Sequence, residues 1–177
     1  LLPALGATGE LKTKPTQQSV RELRSAGIQP DVIVCRADQE IPEEVKDKIA
    51  LFCDVDSDAV IPMPTASTIY EVPLILQESG VDKFIDEHLR LNSHEPELDD
   101  WRNLVHRLKN PQRPVRIAIV GKYVDLHDAY MSVSESLTLA ALEYDAKPEL
   151  VWVNSETMTP EEMVHIFRTV QGVVVPG

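Results

Sequence analysis

The chain has 177 residues, 43% of them hydrophobic, and a formal net charge of -12, as expected for a folded chain of one domain or parts of two. The acidic balance excludes general nucleic-acid binding, which needs a basic face. No apolar run approaches the about 18 residues needed to cross a membrane, and no cationic flank with an apolar core marks a signal peptide, so the expected compartment is the cytoplasm.

In chain order, Thr16 is placed to cap a helix through "QQSVRELRSA". Val20 and Leu23 lie on its inner face and Gly27 stops it. "PDVIVCR" is a short continuous apolar run, the signature of a strand buried on both faces. Pro42 opens a second helix, with Glu43 and Glu44 in its first turn where the dipole favours acids. Val45, Ile49 and Phe52 give that helix an apolar stripe. Cys35, inside the apolar run "DVIVCR", and Cys53, at the end of "IALFC", read as buried, reduced thiols; at this density a disulfide framework is not expected. "AVIPMP" reads as a strand, "STIYEVPLILQES" as a helix with Pro73 in its early turns, and "VDKFIDEHL" as another helix.

The stretch from Arg90 to about Pro114 is polar and proline-bearing. Leu98, Trp101, Val105 and Leu108 recur within it at helical spacing, which predicts an amphipathic linker helix between two domains. "VRIAIVGKY" is then a buried strand that breaks at Gly121. "DAYMSVSESLTLAALEY" follows as a helix, with Ala129, Val133, Leu137 and Ala140 or Ala141 on one face. "PELVWVN" is a strand, "TPEEMVHIFRTV" a helix capped by Thr159 with Pro160 at its first position, and "GVVVPG" a last strand. Alternating helices and strands with short links predict an α/β fold, parallel sheets with helices on both faces. Ligands are expected at the carboxyl edge of such sheets. The abrupt start and the three strands of the second half lead us to expect a window from a longer polypeptide.

The stretch "GELKTKPTQ", residues 9–17, concentrates anion-binding groups. A helix N-terminus offers unpaired N–H groups and partial positive charge. Lys12 and Lys14 add full charges, Thr13 and Thr16 add hydroxyls, and Gly9 lets backbone approach a ligand. A triphosphate suits this density of donors. The plain alternative is a solvated turn with two surface lysines and an ordinary cap. It is not a Walker A loop, whose spacing is absent.

The segment resembles the "GE(L/M)KTKPTQ" stretch of CTP synthases. "GIQPDVIVCR", "DKIALFCDV", "IYEVPLIL", "VGKYVDLHDAY" and the closing "VVVPG" resemble the same family in the same order. The resemblance runs over nearly the whole chain. It implies parts of two Rossmann- or flavodoxin-like domains: residues 1–89 as the end of an amidoligase domain, 90–113 as the linker, and 114–177 as the opening of a glutamine amidotransferase domain. It implies an activity of the complete polypeptide, ATP-dependent amination of UTP to CTP with ammonia from glutamine. Magnesium would be held by residues outside this stretch, and the assembly would be a homotetramer. A non-catalytic nucleotide-binding or assembly module on an α/β fold is the alternative.

By the same resemblance, Lys12, Thr13, Lys14, Pro15, Thr16, Gln17 and Lys48 contact UTP or CTP. Taken bare, Lys48 is a helix-surface lysine paired with Glu44. Arg36, at a strand's carboxyl end, is either an ATP contact or the partner of Asp38 or Glu40. Thr65 and Ala66 stand where some family members carry an acidic ATP-contacting triplet; here Pro64-Thr65-Ala66 lacks the acid. Gly121, Lys122 and Tyr123 match the family's "VGKY" turn at the domain junction, though Lys122 and Tyr130 also read as plain surface groups. Gly177 aligns with a glycine of the oxyanion region. No catalytic residue is expected within the chain. His88, His94, His106, His127 and His165 are scattered and read as surface or packing residues.

Overall fold

The computed structural model describes residues 1–6 and 8–177, which divide into two compact units, residues 1–98 and 99–177. In the first unit, α1 (Lys14–Ser25) precedes β1 (Ile33–Ala37), α2 (Glu43–Cys53) and β2 (Val60–Pro64), which form one parallel crossover, followed by α3 (Val72–Glu78) and α4 (Val81–Leu89). β1 and β2 pair in parallel, Ile33 opposite Val60 and Ala37 opposite Pro64.

One face of this pair carries the core. Ile33, Cys35, Ala37 and Val60 pack with Val20 of α1 and with Ile49, Ala50 and Cys53 of α2. The start of the chain closes onto it: Leu2 and Leu11 are buried, Ala4 bridges Leu11 antiparallel, and the Leu2 N–H donates to the Arg36 carbonyl at 2.8 Å. On the other face, α3 packs against β2, where Ile61 and Met63 are buried. It leaves β1 uncovered, and Val34 is 50% exposed. The continuous apolar run of β1 is therefore buried on one face, not both, because no helix of this unit lies over Val34 and Arg36.

Three details of the helices differ from the expected pattern. Phe52 is 59% exposed; the buried turn of α2 is formed by Ala50 and Cys53 beside Ile49. Leu23 is 37% exposed, so Val20 and Thr16 form the inner face of α1. Thr16 is not the cap. The helix starts three residues earlier, with Thr13 at the N-cap position, because Pro15 has the fixed φ that suits a first turn. Gly27 takes the positive φ that ends the helix.

The second unit comprises α5 (Asp99–Lys109), β3 (Arg113–Gly121), α6 (Met131–Leu142), β4 (Ala146–Asn154), α7 (Pro160–Phe167) and β5 (Gly172–Val174). The sheet is parallel throughout, in the order β4-β3-β5. Successive side chains of a strand point to opposite faces, and the packing follows. Ala118, Val120, Val151 and Val153 face Met158 and Ile166 of the α7 side. Ile119, Leu150 and Trp152 face Val133 and Leu137 of α6. Ala129 is exposed in a short turn before α6, outside the apolar stripe expected for it, and Ala141 rather than Ala140 is buried. The α5 helix is fastened to this unit by Arg107, which donates to Asp145 at 3.2 Å and to the Leu142 carbonyl.

Candidate functional site

Gly9, Glu10, Leu11 and Thr13 and the opening of α2 are far apart in sequence and line one cleft of about 400 Å3. Gly9, Glu10, Leu11 and Thr13 form one wall; Gln39, Pro42, Glu44, Val45 and Lys48 form the other. Leu11 holds the first wall by its burial in the core. Gly9 adopts φ 68°, which a side chain would strain. The Gln39 amide reaches back to donate to the Gly9 carbonyl at 2.8 Å and ties the two walls together.

The charges of the cleft are coupled. The Lys12 ammonium lies 2.8 Å from Glu10 Oε1. Hydrogen bonding from Lys12, then its charge, with a further contribution from Lys48, holds the Glu10 carboxyl below the usual carboxylate range. Lys48 and Glu44, the pair expected on one helix face, both line the cleft, while the ion pair on α2 joins Lys46 to Glu43 at 2.8 Å. Lys14, the first residue of α1, and Pro15 are exposed.

The hydroxyls are engaged differently. Thr13 is buried, and its oxygen accepts the Gln17 amide at 3.0 Å. Thr16 is buried and donates to the Leu1 carbonyl at 3.1 Å, so its hydroxyl fastens the start of the chain. Thr13 and Lys48 thus share the cleft, Lys12 is tied to the lining residue Glu10, Gln17 holds Thr13, and Thr16 holds the start of the chain. Glu10 and Gln39 were not singled out from the sequence, and Glu44 was read only as a first-turn acid and a helix-surface partner of Lys48. Glu10 stands inside the anion-binding motif and could have been noticed there. Gln39 carries no local signal, because its partner is 30 residues away.

At the carboxyl edge of β1 and β2, Arg36 is exposed and sits opposite Met63. Asp38 does not pair with it; that carboxylate accepts the Thr65 hydroxyl at 2.6 Å. The Thr65 N–H donates to the Ala37 carbonyl at 2.9 Å, and Ala66 is half-buried beside it. Arg36, Thr65 and Ala66 therefore share one edge of the sheet.

In the second unit, Gly121 ends β3 and has no room for a side chain: a Cβ would clash with the Tyr130 hydroxyl. That hydroxyl accepts the N–H groups of Lys122 at 3.1 Å and Tyr123 at 3.3 Å. Tyr130 is 7% exposed and not a surface group. Lys122 pairs with Glu156 at 3.1 Å, and His127 stacks on Trp152 with centroids 4.3 Å apart. Gly177 is exposed past the carboxyl end of β5, on the sheet edge where β3 also ends.

Among the described residues, no three His, Cys, Asp or Glu side chains group closely enough to hold a metal ion, so no residue here is assigned to magnesium. No helix among them is long and apolar enough to cross a membrane.

Residues 1–91 match the family model described as CTP synthase N-terminus. Over its length the chain is similar to the CTP synthases of Thermomicrobium roseum, 56% identical over 176 residues, and Roseiflexus castenholzii, 54% identical over 177. The CTP synthase of Listeria innocua is 51% identical over 177 residues. These alignments cover 99–100% of this chain and 32–33% of the relatives, so the chain spans about a third of their length.

Proposed function

Because the chain belongs to the CTP synthase family, we propose that the complete polypeptide aminates UTP to CTP with ATP and with ammonia from glutamine, and that the cleft between Gly9–Thr13 and Lys48 receives the nucleotide's phosphates. The observation that carries the reading is tertiary. Two distant segments converge on one concave surface: Gly9, Glu10, Leu11 and Thr13 on one side and Lys48 on the other, with Lys12 paired to the lining residue Glu10.

In this reading Lys12, Lys14 and Lys48 neutralise phosphate charge, and the first N–H groups of α1 add donors that the helix leaves unpaired. Thr13 and Gln17 hold the wall in shape. Arg36, Thr65 and Ala66, at the sheet edge, belong to the ATP side. Residues 1–89 act as the amidoligase portion, 90–113 as the linker and 114–177 as the opening of the glutaminase portion. Gly121, Lys122, Tyr123 and Gly177 belong to the latter, at the domain junction and the oxyanion region. Magnesium supplies phosphate charge neutralisation from ligands elsewhere in the polypeptide. A cytoplasmic homotetramer completes the proposal.

The test is calorimetric titration of the full-length protein with UTP, CTP and ATP. Lys12→Ala, Lys14→Ala and Lys48→Ala each remove a charge-assisted contact of about 1.5–3 kcal/mol. Each is expected to weaken UTP and CTP by roughly tenfold or more and ATP much less. Unchanged UTP affinity in all three variants refutes the assignment.

A further inference from the structure

We propose that Glu10 is an internal stand-in for a phosphate: its carboxylate occupies the Lys12 ammonium while the cleft is empty and must give way when a polyphosphate enters. The proposal rests on the nucleotide reading only for the identity of the ligand.

The geometry is direct. Glu10 Oε1 lies 2.8 Å from Lys12 Nζ, and Glu10 lines the same cleft as Thr13 and Lys48. A carboxylate oxygen and a phosphate oxygen offer an ammonium the same acceptor, so they compete for it. They do not share it at close range without like-charge repulsion. The backbone beside Glu10 is fixed, since Gly9 is held by Gln39 and the Glu10 N–H donates to the Thr8 hydroxyl at 3.3 Å. The Glu10 side chain is the part free to swing, being 62% exposed. Glu44 is the second carboxylate of the cleft, and no lysine pairs with it among the described residues.

An occupant that competes with the ligand lowers apparent affinity in proportion to the fraction of time it holds the site. Glu10 would therefore set the nucleotide affinity of the cleft without touching the nucleotide. Replacing it should tighten binding, the reverse of what loss of a ligand contact does.

The experiment uses full-length wild type, Glu10→Gln, Lys12→Ala and the double variant. Each is titrated calorimetrically with sodium tripolyphosphate and with UTP and ATP. Glu10→Gln is nearly isosteric at an exposed position, so folding is not at stake. The expected result is tripolyphosphate binding tightened roughly two- to fivefold, the scale of one exposed ion pair. UTP should gain by the same factor. In the Lys12→Ala background the gain should disappear. Absent tripolyphosphate binding, unchanged or weaker binding by Glu10→Gln, or an equal gain without Lys12, each overturns the proposal. A gain for tripolyphosphate with no preference for UTP over ATP upholds Glu10 and removes the pyrimidine reading. UTP preference with no Glu10 effect does the opposite.

Discussion

Cys35 and Cys53 are both fully buried beside each other in the first unit's core and both are free thiols. Burial pushes the Cys35 thiol up to about 11 and the Cys53 thiol above its ordinary value, since a thiolate is poorly solvated there. A raised thiol pKa contributes stability that is present below the ordinary value of 9.0 and lost as pH rises through about 11. Neither thiol should react with a maleimide at pH 8 until denaturant is added. Native labelling at the rate of a free peptide thiol would contradict the burial. Thr16 teaches the same lesson from the polar side. A threonine at the end of the Lys12–Thr16 stretch suggests a ligand donor, yet its hydroxyl is committed to the Leu1 carbonyl. Whether a polar atom serves a ligand or the fold depends on what else reaches it.

At the level of elements, α1 and α7 start in contrasting ways. The α7 helix begins with a complete capping box. Thr159 Oγ1 accepts the Glu162 N–H at 3.3 Å, and Glu162 accepts the Thr159 N–H and hydroxyl, each at 2.9 Å. Those bonds, the backbone one first, hold the Glu162 carboxyl below its ordinary 4.5. A depressed carboxylate contributes stability that is present above 4.5 and lost as pH falls through its lower folded value. Denaturant unfolding at pH 7 should show Thr159→Ala destabilised by about 1 kcal/mol. The gap between wild type and Glu162→Gln should close on acidification below 4.5; a gap that stays constant would mean the carboxylate is not what the cap holds. The α1 helix, in contrast, has no side-chain cap bond at Thr13. Its first turn keeps donors open, which is the condition for receiving an anion.

For the whole molecule, the division into units falls at Leu98–Asp99, inside the stretch expected to be linker. The linker helix α5 belongs to the second unit through Arg107. The segment 91–97 between α4 and α5 is irregular and exposed, held by the Ser93–Asp86 hydrogen bond at 2.8 Å and the Lys83–Glu95 pair at 3.6 Å. Exposed irregular links are the preferred sites of nicking. A Glu-specific protease should therefore cut first at Glu95 or Glu97 and leave two resistant bodies. First cuts inside α2 or α6 would show that the units are not the cooperative pieces. The two sheets also place these residues alike: Arg36, Thr65 and Ala66 and the Gly121 turn lie at carboxyl edges of parallel strands. Parallel strands joined by right-handed crossovers put the loops there.

The alternation of helix and strand, the parallel sheets and the Thr159 cap were legible in the sequence, because periodicity and caps are local properties. Three matters were decided only by tertiary structure. The first is which face of β1 is covered, since Val34 and Cys35 are equally apolar in the chain and only packing separates them. The second is that Lys48 and Gln39 meet the Gly9–Thr13 wall, because convergence across 30 or more residues leaves no mark in either segment. The third is the buried tyrosine that fills the space above Gly121. A missing Cβ is visible in the sequence, but the side chain that takes its place is known only once the chain has folded.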